Sequence, residues 1–477
     1  MNVIYGPTIT SLMAELKFTE PIADDKEDAA FLKAIDVVLS TGKRDYPNFV
    51  GGLKVASGMI VDVHSPIDQT IIFGSFQEPD DGMADRAVEV AKGAYGAWNR
   101  KVIEDKVEIF RKVLASVKQQ RFRLAAMATL SAGLTKKNAL AEVDTLIDVL
   151  EKACEDSKKK KRSEGVWGVL TSYNSPLAAP IGYAAAAMMA GNTVVLVPSV
   201  HSIMPVCTVY EMFVDAGLPD GVLNIIFDRT PVTATDVANN LDVVGVVAAG
   251  LGEKMEDLMF IQTDDELRFV NEIKGMNPIL VYKPSNMRNA AKAVLSAAFG
   301  QGMNVKACSK VVIMAGEEEA FVNAIMAEAN NIKVTDPSDV SATFGPLVSK
   351  SRMKEYLELM GSVSSNIIFG GKVVSDELTE NGYYVMPAIV MGLDEEHDLN
   401  IMDSAFPILS IQTAEDLEGA IELINCSEYG SSAGIITKDE NAASRFKKEI
   451  NAENIFVNDP SSLPGTASQA RVNNFTA

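Results

Sequence analysis

Cysteine and histidine are scarce in this chain, four and three among 477 residues. Cys154, Cys207, Cys308 and Cys426 are scattered and form no C-x-x-C pair. That pattern excludes a disulfide framework and leaves free thiols in a reducing compartment as the expectation. His64, His201 and His397 lie far apart without ligand spacing, so no metal site is expected. No apolar run reaches the ~18 residues a membrane span needs, and the Ala-rich stretch from Pro180 to Ala190 reads as a buried core helix. The N-terminus shows no basic region followed by an apolar stretch, so no signal peptide is visible and a cytoplasmic location is expected. Positive charge is short as well: 43 Lys and Arg against 64 Asp and Glu leave a formal charge of −21. A field of that sign argues against nucleic acid and against anionic membranes as partners. The one basic run, Lys158 to Arg162, reads as a solvated loop in so acidic a chain.

What the chain does have is length for two domains and an apolar content of 47%. From Gly165 to Phe227 strand and helix patterns alternate: strands at Val166–Leu170, Val194–Leu196 and Leu223–Ile226, helices at Pro180–Ala190 and Pro205–Ala216. Such alternation predicts parallel strands with right-handed crossovers, a doubly wound α/β layout. A second set runs from Ile279–Tyr282 through Met314 to Ile408–Ile411. Ser296 to Met314 reads as a helical run, a glycine-rich turn at Gly300-Gln301-Gly302, a short polar link and a strand from Lys310. A single helix is expected from Asp105 to Leu130.

An ordered series of motifs carries a resemblance. Ser172-Tyr173-Asn174-Ser175-Pro176-Leu177, Ala190-Gly191-Asn192-Thr193, Ala216-Gly217-Leu218-Pro219, Glu272-Ile273-Lys274-Gly275-Met276-Asn277-Pro278, Gly345-Pro346-Leu347, Tyr429-Gly430 and Asn454-Ile455-Phe456-Val457-Asn458 follow one another at family spacing. From about Tyr46 to about Asn458 the chain resembles the aldehyde dehydrogenase superfamily. The N-terminal arm and the Ser296-Ala297 lead-in look most like its glutamate-semialdehyde (pyrroline-carboxylate) branch. The resemblance implies an α/β fold: N-terminal arm and Rossmann-like cofactor domain at 1–270, a second, catalytic-type α/β domain at 271–450 with the active-site cleft between them, and a shortened tail at 451–477. It implies NAD or NADP as cofactor.

It also implies roles by position. Asn174 matches the side-chain donor of the oxyanion hole, and Glu272 the general base. Anchoring on Gly302 and Ser309-Lys310 puts Val305 where the family has its nucleophilic cysteine, and valine cannot attack a carbonyl. Cys308, three residues on, is either a displaced nucleophile or a structural thiol; an extended chain would carry its sulfur up to about 10 Å away. On the cofactor side, Tyr173 stands in the first motif. Val197 and Val200 replace the Lys and Glu that grip the adenosine ribose. Val246 to Ala249 stand for the turn at the pyrophosphate, and Asp403 for the acid at the nicotinamide ribose. The family's long β-hairpin flap is reduced to the short basic bridge, and the C-terminal motif that pairs with it is absent, so a monomer or a non-family homo-oligomer is expected. Three outcomes stay open: a family member without standard oxidation, a working or altered dehydrogenase or a thiol esterase using Cys308, and a structural subunit of a larger assembly.

Overall fold

The computed structural model describes residues 2–5, 25–55, 58–155, 157, 163–250, 268–272, 275–300, 302, 307–427 and 430–458, with residues 2–5, 25, 271 and 272 as backbone only. Val305, the basic run 158–162 and the tail beyond 458 lie outside them.

The strands in chain order are β1 (Asn2–Tyr5), β2 (Arg44–Tyr46), β3 (Asn48–Val50), β4 (Leu53–Val55), β5 (Ile60–His64), β6 (Ile72–Gln77), β7 (Val166–Thr171), β8 (Thr193–Val197), β9 (Leu223–Ile225), β10 (Val243–Ala249), β11 (Arg268–Glu272), β12 (Ile279–Val281), β13 (Lys310–Met314), β14 (Ile367–Phe369), β15 (Ala388–Met391), β16 (Ile408–Ala414), β17 (Ser432–Ile436) and β18 (Asn454–Val457). They build two large sheets and a small one.

The first sheet has the order β11-β10-β7-β8-β9-β3-β4. Its strands from β11 to β9 are parallel, and β3 and β4 add antiparallel. Strands β7 and β8 are continuous apolar runs buried at every residue, because crossover helices cover both faces. One of those helices, Ala178–Ala190, has every residue buried, which explains how an all-apolar alanine run stays in register without an outer face. It ends on Gly191 in the left-handed region, the conformation glycine adopts without a Cβ penalty. The small sheet, β2-β6-β5, also lies in this unit.

The second sheet has the order β1-β18-β17-β12-β13-β16-β15-β14 and is parallel except for β14. Four of its helices start on side-chain caps: Asn286 for Met287–Phe299, Ser349 for Lys350–Ser362, Asp416 for Leu417–Asn425 and Asp439 for Glu440–Glu449.

The chain divides into two compact units: Asp25–Ile273 with Pro337–Val340, and Lys274–Asp336 with Ser341–Thr466, to which β1 belongs. The division thus falls at Ile273/Lys274 where the sequence suggested 270/271, and the first strand goes with the second unit, not with the first. Residues 454–457, expected within a tail at 451–477, are an inner strand of the second sheet with Ile455 and Phe456 buried. The helix expected from Asp105 to Leu130 is two helices, Ile103–Gln119 and Arg121–Ala132, broken at Gln120 (φ −102°, ψ 21°). Among the described residues no helix is long and apolar enough to cross a membrane, and no cluster of His, Cys, Asp and Glu could hold a metal.

Candidate functional site

The C-terminal ends of β7 and β10 bring the first group of expected residues together. The chain leaves β7 at Thr171, and Ser172 N–H donates to the carbonyl of Ala249 at 3.0 Å, tying the two strand ends. Asn174 is buried, 6% exposed, with Oδ1 facing Gly250. Gly250 has φ +109°, and a Cβ there would lie 2.5 Å from Asn174 Oδ1 and 2.7 Å from Ser172 Cβ. The residues read as the pyrophosphate turn, Val246 to Ala249, are instead the buried last four of β10; the turn begins at Gly250. The sequence register slips because the flanking motif residues are worn, while only the positive φ marks the turning glycine. We expect Gly250→Ala to cost about 2 kcal/mol, from left-handed strain plus the Ser172 clash, measured as a shift in the urea midpoint. An unchanged midpoint would refute this packing.

Ser175 stands where the family carries a large aromatic, and its hydroxyl donates to both oxygens of Glu142 at 2.9 and 3.0 Å. The same carboxylate accepts the N–H of Leu177 at 3.2 Å and of Ala178 at 2.9 Å. Ser175 Oγ accepts in turn from the N–H of Ala179 at 3.0 Å. Glu142 therefore caps the helix that follows Asn174, where the partial positive charge of the free N–H groups lies. Sequence reasoning missed this residue: it is 33 positions from Ser175 and reads as a plain helical glutamate.

The two positions expected to face the adenosine ribose carry apolar side chains that are packed away. Val197 is 6% exposed at the end of β8, and Val200 packs against the core of the first unit. Neither offers a hydrogen bond. Beside them Ser199 accepts from His201 N–H at 3.2 Å, and His201 Nδ1 lies 3.0 Å from the carbonyl of Ser131, so the neutral ring donates there. Burial pulls the imidazole pKa down to about 4, against a smaller upward pull from Ser131. A base whose folded pKa is depressed stays neutral while the unfolded chain protonates, so stability is complete above pH 6.5 and is lost as pH falls toward 4. Because the residue keeps some exposure, we expect about 2 kcal/mol of acid loss from this group rather than the full shift. His201→Gln should flatten the urea midpoint between pH 6.5 and 4; equal slopes for both proteins would refute it.

In the second unit, the loop before β12 and the loop before β13 are knitted by two side chains. Asn277, 2% exposed and at φ +46°, donates to the carbonyls of Gly275 at 2.9 Å and Ala307 at 3.1 Å and accepts from Ser432 Oγ at 2.6 Å. Asp403 accepts from Gly275 N–H at 3.3 Å, Ser309 Oγ at 3.4 Å and Ala405 N–H at 3.0 Å. The acid expected at a nicotinamide ribose is thus engaged in fixing three segments of its own unit.

Cys308 is 1% exposed. Its thiol donates to the carbonyl of Lys310 at 3.1 Å, its N–H donates to Ala297 at 3.1 Å, and burial pushes its pKa up to about 12. Lys310, where the family has arginine, is also buried, with Nζ donating to the carbonyls of Asn400 at 2.9 Å and Leu423 at 2.5 Å. Desolvation lowers its pKa to about 8. Glu272 ends β11 opposite Ala249, and its side chain lies outside the described residues, as does all of Val305. Tyr173 is half-buried between Ser172 and Asn174.

Comparison with known proteins matches residues 54–469 to the model of the aldehyde dehydrogenase family. Alpha-ketoglutaric semialdehyde dehydrogenase of Bacillus subtilis (strain 168) is 26% identical over 441 residues, 88% of this chain and 90% of the relative. The 1-pyrroline-5-carboxylate dehydrogenase of Geobacillus sp. (strain WCH70) is 24% identical over 473 residues, 92% and 90% of the two chains. Among solved structures, 1-pyrroline-5-carboxylate dehydrogenase from Thermus with bound NAD superposes with TM-score 0.83 at 20% identity, covering 92% of this chain and 89% of that one. Betaine aldehyde dehydrogenase of Staphylococcus aureus in complex with NAD+ gives the same TM-score, 0.83, at 20% identity, covering 90% of each. These structures share the fold.

Proposed function

Since this chain belongs to the aldehyde dehydrogenase family, we propose that it keeps the family fold without the family's NAD(P)-dependent aldehyde oxidation, and serves a binding or assembly role. The observation that carries this reading is the state of Cys308. The family position for the nucleophile is Val305, so Cys308 is the nearest cysteine in sequence. That sulfur is sealed in the core, protonated at neutral pH and hydrogen-bonded to the backbone. A thiolate is what attacks a carbonyl, and this environment disfavours one.

The cofactor positions support the same reading. NAD or NADP is the cofactor class the family membership brings, and two relatives of this fold hold NAD in their crystals. The residues here fit it poorly: Val197 and Val200 supply no polar partner to a ribose, Ser175 has turned to Glu142, and the carboxylate of Asp403 is bonded within its own unit. Each missing hydrogen bond weakens binding by roughly 1 kcal/mol.

A second reading, an altered semialdehyde dehydrogenase, is favoured by the retained Asn174 and Glu272 and by the activities in the names of the relatives. Formation of reduced nicotinamide from a panel of short aldehydes and semialdehydes, with NAD and with NADP, separates the two: absence of turnover supports the first, and turnover at the family's pace establishes the second.

A further inference from the structure

Strand β18 would be the last strand on its side of the second sheet if β1 were not there. Residues Asn2 to Tyr5 lie parallel to it, from Asn2 opposite Asn454 to Tyr5 opposite Val457. On its other side β18 pairs with β17, from Ser432 opposite Asn454 to Ile435 opposite Val457. Both sides of β18 are therefore paired, and among the described residues the edge strand on this side is β1, four residues long. Without β1, a strand with a buried apolar pair, Ile455 and Phe456, would present a row of free N–H and C=O groups. Such a row is a template for another chain.

The segment suits the task. Asn2-Val3-Ile4-Tyr5 is uncharged and holds two β-branched residues and one aromatic, the types that favour a pleated strand. In the sequence Gly6 and Pro7 come next, residues that disfavour extending a ladder. Strand β1 belongs to the second unit, whereas the next described element, the helix Asp25–Thr41, belongs to the first. Residues 6–24 join the two in sequence.

We propose that β1 is an edge cap acting within its own chain: by filling the β18 edge it prevents a second copy of this chain from adding there. The occupant of the edge is β1 of the same molecule, and the partner that takes its place when β1 is disabled is another copy.

The test uses the full chain. Successive residues of a strand point their N–H groups to opposite sides, so Val3→Pro together with Ile4→Pro removes a donor from the β18 side whichever residue supplies it. Light scattering after size-exclusion should give the 51.3 kDa monomer for the unmodified chain and a concentration-dependent dimer or larger species for the double variant. A double variant that remains monomeric at every concentration, or an unmodified chain that is already dimeric, would overturn the proposal. If the prolines unfold the protein, a cross-link decides instead. Asn2→Cys with Asn454→Cys, on a background where the exposed Cys426 is replaced by serine, places two thiols opposite each other in the ladder. Oxidation should give an internally bridged monomer on non-reducing gels; bridged dimers would show that the strand is exchanged between copies and refute the cap.

Discussion

Purified protein will form no NADH or NADPH above background from short aldehydes or semialdehydes, and iodoacetamide at neutral pH will leave Cys308 unmodified while the chain is folded. Two effects combine. First, on the proposed reading valine occupies the nucleophile position, and loss of a nucleophile costs on the order of 10⁶ in turnover where this has been measured for enzymes of covalent mechanism. Second, Cys308 cannot stand in. Raising a thiol pKa from 9.0 to about 12 lowers the thiolate fraction by roughly a thousandfold. The 1% exposure of the residue then slows any reagent further. Unfolding in urea should release both constraints, so Cys308 should label in the denatured chain at the pace of an ordinary cysteine. Val305→Cys should introduce a thiol without restoring turnover, because Val197 and Val200 still give the ribose no partner. Rapid alkylation of Cys308 in the native protein, mapped by mass spectrometry, would rule out the proposed loss of activity through this route. So would steady turnover by the unmodified chain.

Glu142→Ala will lower stability by about 3 kcal/mol, the largest single effect expected near Asn174. The carboxylate receives a hydroxyl and two backbone N–H groups, and a bond to a charged acceptor contributes about 1.5–3 kcal/mol net of the exchange with water, though not additively when one acceptor is shared. Its position at the N-terminus of the helix Ala178–Ala190 adds the favourable interaction of an anion with the unpaired N–H groups. Alanine leaves Leu177 N–H and Ala178 N–H without this acceptor in a part-buried site. Glu142→Gln keeps an acceptor oxygen and loses the charge, so a smaller cost, about 1 kcal/mol, is expected. Ser175→Ala should be strongly non-additive with Glu142→Ala, since each removes the other's partner. Urea unfolding of the three single variants and the double variant provides the measurement. Additive losses, or a Glu142→Ala cost below about 1 kcal/mol, would mean that the carboxylate does not anchor this turn.

Parts of the candidate site were legible because their signals are local. Asn174 follows a buried strand and precedes a proline turn, and its motif is short enough to survive substitution of Ser175 for an aromatic. The valines at 197 and 200 are read directly, and the structure shows them packed as valines are. Other parts were not legible. The turning residue at the end of β10 is Gly250, but nothing in Val246-Val247-Ala248-Ala249-Gly250 distinguishes the last strand residue from the first turn residue until φ is known. Asp403 carries the right charge for a ribose contact, yet its oxygens are taken by N–H and O–H groups from positions 275, 309 and 405, a meeting that only the folded chain arranges.

The sequence by itself determined the fold class and the residue types on which the proposed loss of activity rests. Continuous apolar runs such as β7 and β8 follow from burial on both faces, and the identity of residue 305 is chemistry independent of geometry. Tertiary structure alone decided which groups are spent on holding the protein together: Glu142 on the start of a helix 36 residues away, Cys308 on a backbone carbonyl, and Asn2–Tyr5 on a strand at the far end of the chain. The reason is physical. Burial and local pattern act between neighbours in sequence, whereas a hydrogen bond is made to whatever the fold brings within about 3 Å, and sequence separation leaves no mark of that distance.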